Sequence, residues 1–193
     1  MSGCAARLQF KKGRRARPGL PALVAEYISK WRVRAREELD GFRKDTFDAA
    51  VGRAALAEDE RGKRFPHQTR IPRRVLLTAR KSLLDALPEL QRAKDFDDLH
   101  DSIKRSLAGI RGVGSLYFYD TALRIGANLQ KLPERVYLHR GTRVGARALG
   151  LDRRQDCLDP RDLPREIRVL EPHEIEDFLC LYARDLARAL TNR

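Results

Sequence analysis

The sequence predicts an all-α domain, and three observations carry that prediction. Apolar residues recur at helical spacing along most of the 193-residue chain. Pro21, Pro72 and Pro172 each stand where such a stretch opens, the position at which a missing N–H costs a helix nothing. No segment sustains the alternation of a half-buried strand, so no sheet is expected. The length suits a single domain over residues 20–193, in one or two lobes, with ample chain for a core.

Residues 1–19 hold Arg7, Lys11, Lys12, Arg14, Arg15 and Arg17 without an acid and finish on Pro18-Gly19. Such a run cannot build a core and reads as a mobile basic arm, with Lys11, Lys12, Arg14 and Arg15 as candidate phosphate contacts. A helix from Pro21 follows. Leu20, Leu23, Val24, Tyr27, Ile28, Trp31, Ala35 and Leu39 form its apolar stripe, which places Trp31 in the core. Asp45-Thr46 reads as the cap of a second helix through Phe47, Ala50, Val51 and Ala54. Residues 58–74 read as a loop, whose His67 and Gln68 reach toward DNA, toward a pocket, or only into solvent. Pro72 opens a third helix with Val75, Leu76, Ala79, Leu83 and Leu87 on one face, and Leu87-Pro88 closes it. Residues 151–165 read as a surface connection, followed by a short helix to Leu170. Pro172 then opens the last helix, with Ile175, Phe178, Leu179, Tyr182, Leu186 and Leu190 on its apolar face.

The net charge is +13 and the isoelectric point is near 10.2. That balance favours a polyanionic partner, nucleic acid first and an anionic membrane surface second. Cys4, Cys157 and Cys180 have no CxxC spacing and make neither a disulfide framework nor a zinc site. His67, His100 and His173 are scattered, so no metal set emerges. There is no Walker loop, nucleotide fingerprint or nucleophile elbow. Without an apolar run of membrane-spanning length or an N-terminal h-region, the expectation is a cytoplasmic protein, at the nucleoid if DNA is its partner, with no membrane contact.

The most informative stretch is Leu107-Ala108-Gly109-Ile110-Arg111-Gly112-Val113-Gly114-Ser115. Before it, Phe96, Leu99, Ile103 and Leu107 fall at helical spacing; after it, Leu116 to Leu129 do so again, with Ser115 at the N-cap position. Two helices therefore meet in a hairpin spanning about 96–129. Gly112 and Gly114 can take positive φ, and without side chains they let another backbone approach. Successive N–H groups in such a turn, with the dipole end of the next helix, suit a phosphate.

Ile110-Arg111-Gly112-Val113-Gly114 resembles the helix-hairpin-helix motif. Val136-Tyr137-Leu138-His139-Arg140, followed by Arg143-Val144 and Ala148-Leu149-Gly150-Leu151, extends the likeness to the helix-hairpin-helix DNA glycosylases over residues 96–151. The resemblance implies an all-α glycosylase-like fold that grips duplex DNA by its backbone without reading sequence. It implies Arg111, Gly112, Val113, Gly114, Ser115, Arg140 and Arg143 as DNA contacts; no cofactor is expected, although the resemblance leaves room for a monovalent cation at the hairpin. Several positions depart from the pattern. The family's catalytic aspartate falls on Tyr137, although His139 agrees. The lysines of its strand-cleaving members fall on Leu116 and on Arg105, with Lys104 beside the latter. Phe118 replaces a small alanine, and Arg111 a common proline.

Asp120 lies inside an apolar helix and should be paired, with Arg124 or an arginine of the 140–147 segment as partner; the alternative is a general base or cation stabiliser. Lys104 is either a Schiff-base lysine or a solvated surface lysine. Tyr137 and His139 either line a base pocket or pack and cap the next helix. Three readings result. The first is a DNA-binding protein, related to repair glycosylases, with a degenerate active site. The second is an active DNA glycosylase, with or without lyase activity, using a rearranged site. The third is a protein-interaction module with a basic surface.

Overall fold

The computed structural model describes residues 19–190, and the arm candidates Lys11, Lys12, Arg14 and Arg15 lie outside them. The described residues are mostly helical. α1 (Leu20–Lys30) carries Pro21 in its first turn and stops at Trp31, where φ −116° breaks the helix before α2 (Arg32–Arg43). The single expected helix is thus two, and Trp31 is 39% exposed rather than core. The break redirects the apolar stripe: Leu23, Val24 and Tyr27 enter one core cluster and Phe42 enters another.

α3 (Phe47–Leu56) ends in the left-handed Ala57, and a long loop containing the 3-10 turn Pro66–Gln68 leads to α4 (Arg73–Asp85). Pro88 does not simply close α4; it sits in the first turn of the short α5 (Leu87–Gln91). α6 (Phe96–Ser106) is capped by Asp95, whose carboxylate accepts the Asp98 N–H at 2.9 Å. α7 (Ser115–Asn128) follows the glycine hairpin.

A two-stranded antiparallel ladder, unforeseen because each strand has two residues, pairs β1 (Val136–Tyr137) with β2 (Cys157–Leu158) in register Val136↔Leu158. A pairing this short leaves no alternation to read. Between its strands lies α8 (Arg140–Ala148). The helix expected before Leu170 is instead a series of turns that buries Ile167 and Leu170. α9 (Pro172–Leu181) and α10 (Ala183–Leu190) divide the expected last helix at Tyr182. No helix among the described residues is long and apolar enough to cross a membrane.

Two apolar clusters organise these elements. The first draws on the end of α2 and on α3 to α7, with Phe42, Leu76, Leu83, Phe96 and Ile125 buried. The second joins α1 to the C-terminal elements, where the Tyr27 ring meets Phe178 edge-on at 5.9 Å. α8 and α9 approach so closely that a Cβ on Gly145 would lie 2.2 Å from the Leu179 carbonyl oxygen. That approach fixes α9, and with it the acids of the site described next.

Candidate functional site

The hairpin is anchored by Ile110 and Val113, which pack on the first cluster, and exposes Gly109, Arg111, Gly112 and Gly114. Gly109 and Gly112 have φ of 85° and 100°, the left-handed region that glycine enters at little cost. Gly114 is extended at φ −150°, and a Cβ there would meet nothing within 4 Å. The requirement for glycine therefore falls on Gly112, whose Cβ would also touch Val75 at 3.6 Å, and not on Gly114. Ser115 is the first helical residue, not the cap. Gly114 holds the cap position, and no side chain satisfies the first turn of α7. Among the described residues, the N–H groups of Gly112, Gly114 and Ser115 find no acceptor.

Another face of α7 borders a cavity. Leu116, Asp120, Leu123 and Arg124 share one helical face and line a space of about 140 Å³, room for several water molecules. Tyr27, Glu38, His139, Glu176, Asp177 and Cys180 contribute to its wall, and the exposed His67 marks its mouth. Its carboxylates are individually held. The Gln68 side-chain amide donates to Asp120, which corrects the expectation of an arginine partner. Arg124 instead bonds Glu38 at 3.0 Å, with its guanidinium 3.9 Å from the centre of the Phe65 ring. The Tyr27 hydroxyl donates to Asp177 at 3.2 Å. His139 Nε2 donates to Glu176, because its Nδ1 accepts the Gly141 N–H at 3.3 Å as the cap of α8. Asp120 and Asp177 thus rest on neutral donors, Glu176 rests on the imidazole of His139, and Glu38 has a guanidinium.

Burial disfavours the ionised form of a carboxyl. It raises Glu176 to about 7, against the pull of His139. It raises Asp177 to about 6, against the Tyr27 hydroxyl bond. Burial alone would lower His139, but the bond and charge of Glu176 reverse the direction and raise it. His173 is lowered to about 4, by burial first and then by Arg43, Arg36 and Arg32. The Cys180 thiol is pushed up to about 11 by burial and the surrounding acids, so it stays a thiol at neutral pH.

No family model, curated protein or solved structure matches the chain. The residues of the site must therefore be read on their own chemistry.

Of the catalytic candidates singled out in the sequence, Asp120 and His139 meet at the cavity and Lys104 and Tyr137 do not; His67, Leu116, Arg124, His173 and Cys180 also line it. Lys104 is exposed on α6, 3.4 Å from Asp101. The Tyr137 hydroxyl donates to Asp97 and its ring packs against Phe96 at 5.3 Å. Arg140 is exposed at the start of α8. Arg143 is occupied internally, donating to the Arg153 carbonyl, to the Gln155 carbonyl at 2.9 Å and to Asp156 at 3.1 Å. A cation at the hairpin would have only main-chain carbonyls to bind. The Leu107 carbonyl already accepts the Ile110 N–H at 3.1 Å, and Arg111 adds positive charge to the turn. Main-chain carbonyls are the ligands a monovalent cation takes, and a carbonyl that accepts one N–H keeps a second lone pair. Among the described residues, no group of three or more His, Cys, Asp or Glu side chains is disposed to hold a metal.

Sequence reasoning passed over Glu38, Glu176 and Asp177. A signal for the last two exists: Glu174-Ile175-Glu176-Asp177-Phe178 sets three acids within an apolar run of a chain with net charge +13.

Proposed function

We propose that this chain binds duplex DNA through its backbone phosphates, with the 107–115 hairpin as the grip, and is related to the helix-hairpin-helix DNA glycosylases. The observation that carries the reading is the uncapped start of α7. There the N–H groups of Gly112, Gly114 and Ser115 stand free beside the exposed Arg111 at the positive end of a 14-residue helix. Contacts of this kind position a protein on DNA and carry no base information. Fluorescence anisotropy with unrelated duplexes tests it. Binding should be sequence-indifferent and fall with salt at a log–log slope of about −0.9 per phosphate contact. A slope near zero removes nucleic acid as the partner.

A second reading, an active glycosylase with a rearranged site, is favoured by the place of the cavity, whose wall begins at Leu116, the second residue of α7. A carboxyl kept protonated near neutrality can donate to a departing base, and an ionised one can stand against positive charge on the sugar. In this reading Asp177 or Glu176 takes the first role and Asp120 the second. Base release from a panel of damaged duplexes, lost in Asp120→Asn, is the expected result. Lys104, exposed on α6, should form no borohydride-trapped adduct with abasic DNA; a Lys104-dependent adduct makes the lyase chemistry its own.

A further inference from the structure

We propose that the cavity between the two clusters binds a planar nitrogen heterocycle that offers an amidine edge, N–H beside N–H, to its carboxylates and a carbonyl oxygen to Arg124. The donors and acceptors left over inside the wall select this chemistry. Asp120, Glu176 and Asp177 are each fixed through one oxygen by a side-chain donor. Among the described residues nothing bonds the second oxygen of any of them, and none of those oxygens is left buried without a partner. Three carboxyl groups, each with an oxygen that no described residue bonds, therefore line one space. Arg124 supplies the complementary need. It is 5% exposed, lines the cavity, and its Nη1 has no hydrogen-bond partner. A buried donor of this kind calls for an acceptor on whatever enters.

A ligand that satisfies both must carry donors and an acceptor on one rigid frame. An amidine edge sets two N–H donors side by side against ionised oxygens, and charge-assisted bonds of that kind are the strong ones. The Leu116 and Leu123 side chains provide apolar wall for a flat ring. An anion is repelled by the acids. Glu176 and Asp177, raised by burial, lose protons more readily once N–H donors or positive charge sit against them. Such a heterocycle can come from a base turned out of a DNA strand or from a free small molecule, and the inference stands whether or not the hairpin binds DNA.

The test uses two probes of the same size, 2-aminopyrimidin-4-one, which has the amidine edge and a carbonyl, and uracil, which lacks the edge. Titration calorimetry of the full chain at pH 7 should show saturable binding of the first, about tenfold or more tighter than the second, the factor that one mismatched hydrogen bond produces. Equal binding, or none, overturns the proposal, and this comparison needs no variant. Asp120→Asn, Glu176→Gln and Asp177→Asn then locate the site. Loss of the preference in at least one of them, with an unchanged circular-dichroism spectrum, supports the cavity; a preference kept in all three overturns the assignment. Duplex DNA that competes with the probe identifies a strand as the source, and independent binding identifies a free heterocycle. Gly112→Val should leave probe binding intact while weakening the duplex, so failure of the hairpin reading and failure of this one are seen separately.

Discussion

The hairpin and the cavity lie on one helix and are built oppositely. At its start, α7 presents backbone donors that nothing in the described chain satisfies, in a turn made from consecutive residues. Along its middle, Asp120 presents an acceptor held by Gln68, in a wall assembled from residues as distant as Tyr27 and Cys180. The hairpin depends first on backbone conformation, with Ile110 and Val113 as its anchors and Arg111 as its charge. The cavity depends on side-chain identity and on the packing that brings helices together. A main-chain change should harm the first, and a packing or charge change the second.

The largest expected effect breaks the cavity and spares the hairpin. Gly145→Val drives a side chain into the Leu179 carbonyl, whose oxygen lies 2.2 Å from the position of a Cβ. Backbone cannot yield as a flexible side chain can, so α8 and α9 must part at a cost of about 3 kcal/mol or more. A thermal melt within a few degrees of the parent would contradict that packing.

A smaller effect separates the two glycines of the hairpin. Gly112→Val forces a β-branched residue to φ 100° against Val75, and should cost duplex affinity on the order of 1–3 kcal/mol on every sequence alike. Gly114→Val meets open space at φ −150° and should leave the melting temperature unchanged. If a folded Gly112→Val binds duplex as the parent does, the turn is merely structural.

The smallest concerns acid balance. With a carboxyl at about 6 in the fold and about 3.9 when unfolded, Asp177 binds its proton more tightly in the native state. Its contribution therefore falls as pH rises from about 4 to 6. Glu176, raised to about 7, works in the same direction over a higher window, whereas His173, lowered to about 4, opposes both between about 4 and 6.5. Asp177→Asn removes one part of the sum. Across pH 4 to 6 the variant should lose less stability, or gain more, than the parent, by on the order of 1 kcal/mol. That corresponds to about 2–4 °C in melting temperature. Identical pH profiles would show that Asp177 is not held protonated.

The contrast also explains what the sequence made legible. Phe96, Leu99, Ile103 and Leu107 announce α6 by spacing alone, and Gly112 announces a left-handed turn, because both depend on near neighbours. The breaks at Trp31 and Tyr182 depend on which of two clusters each half of a stripe must reach, which no local period encodes. Asp120 stood out as an acid among apolar residues, yet its partner lies 52 residues away in a loop. The pairing of His139 with Glu176 spans 37 residues, and capping alone accounts for a histidine before a helix.

The second cluster also sets an order of assembly. Tyr27 and Asp177, bonded in the finished protein, are separated by 150 residues. At about 5–20 residues per second, a ribosome needs roughly 8–30 s to add that length. Throughout that interval Leu23, Val24 and Tyr27 are already made, while Phe178 and Leu186, which will cover them, do not yet exist. The buried residues of the first cluster end at Ile125, with only Leu129 and Tyr137 packing on it from further along, so it can close while synthesis continues. A nascent chain halted before α9 therefore has every buried residue of the first cluster, while the second still lacks Ile175, Phe178, Leu179, Tyr182 and Leu186.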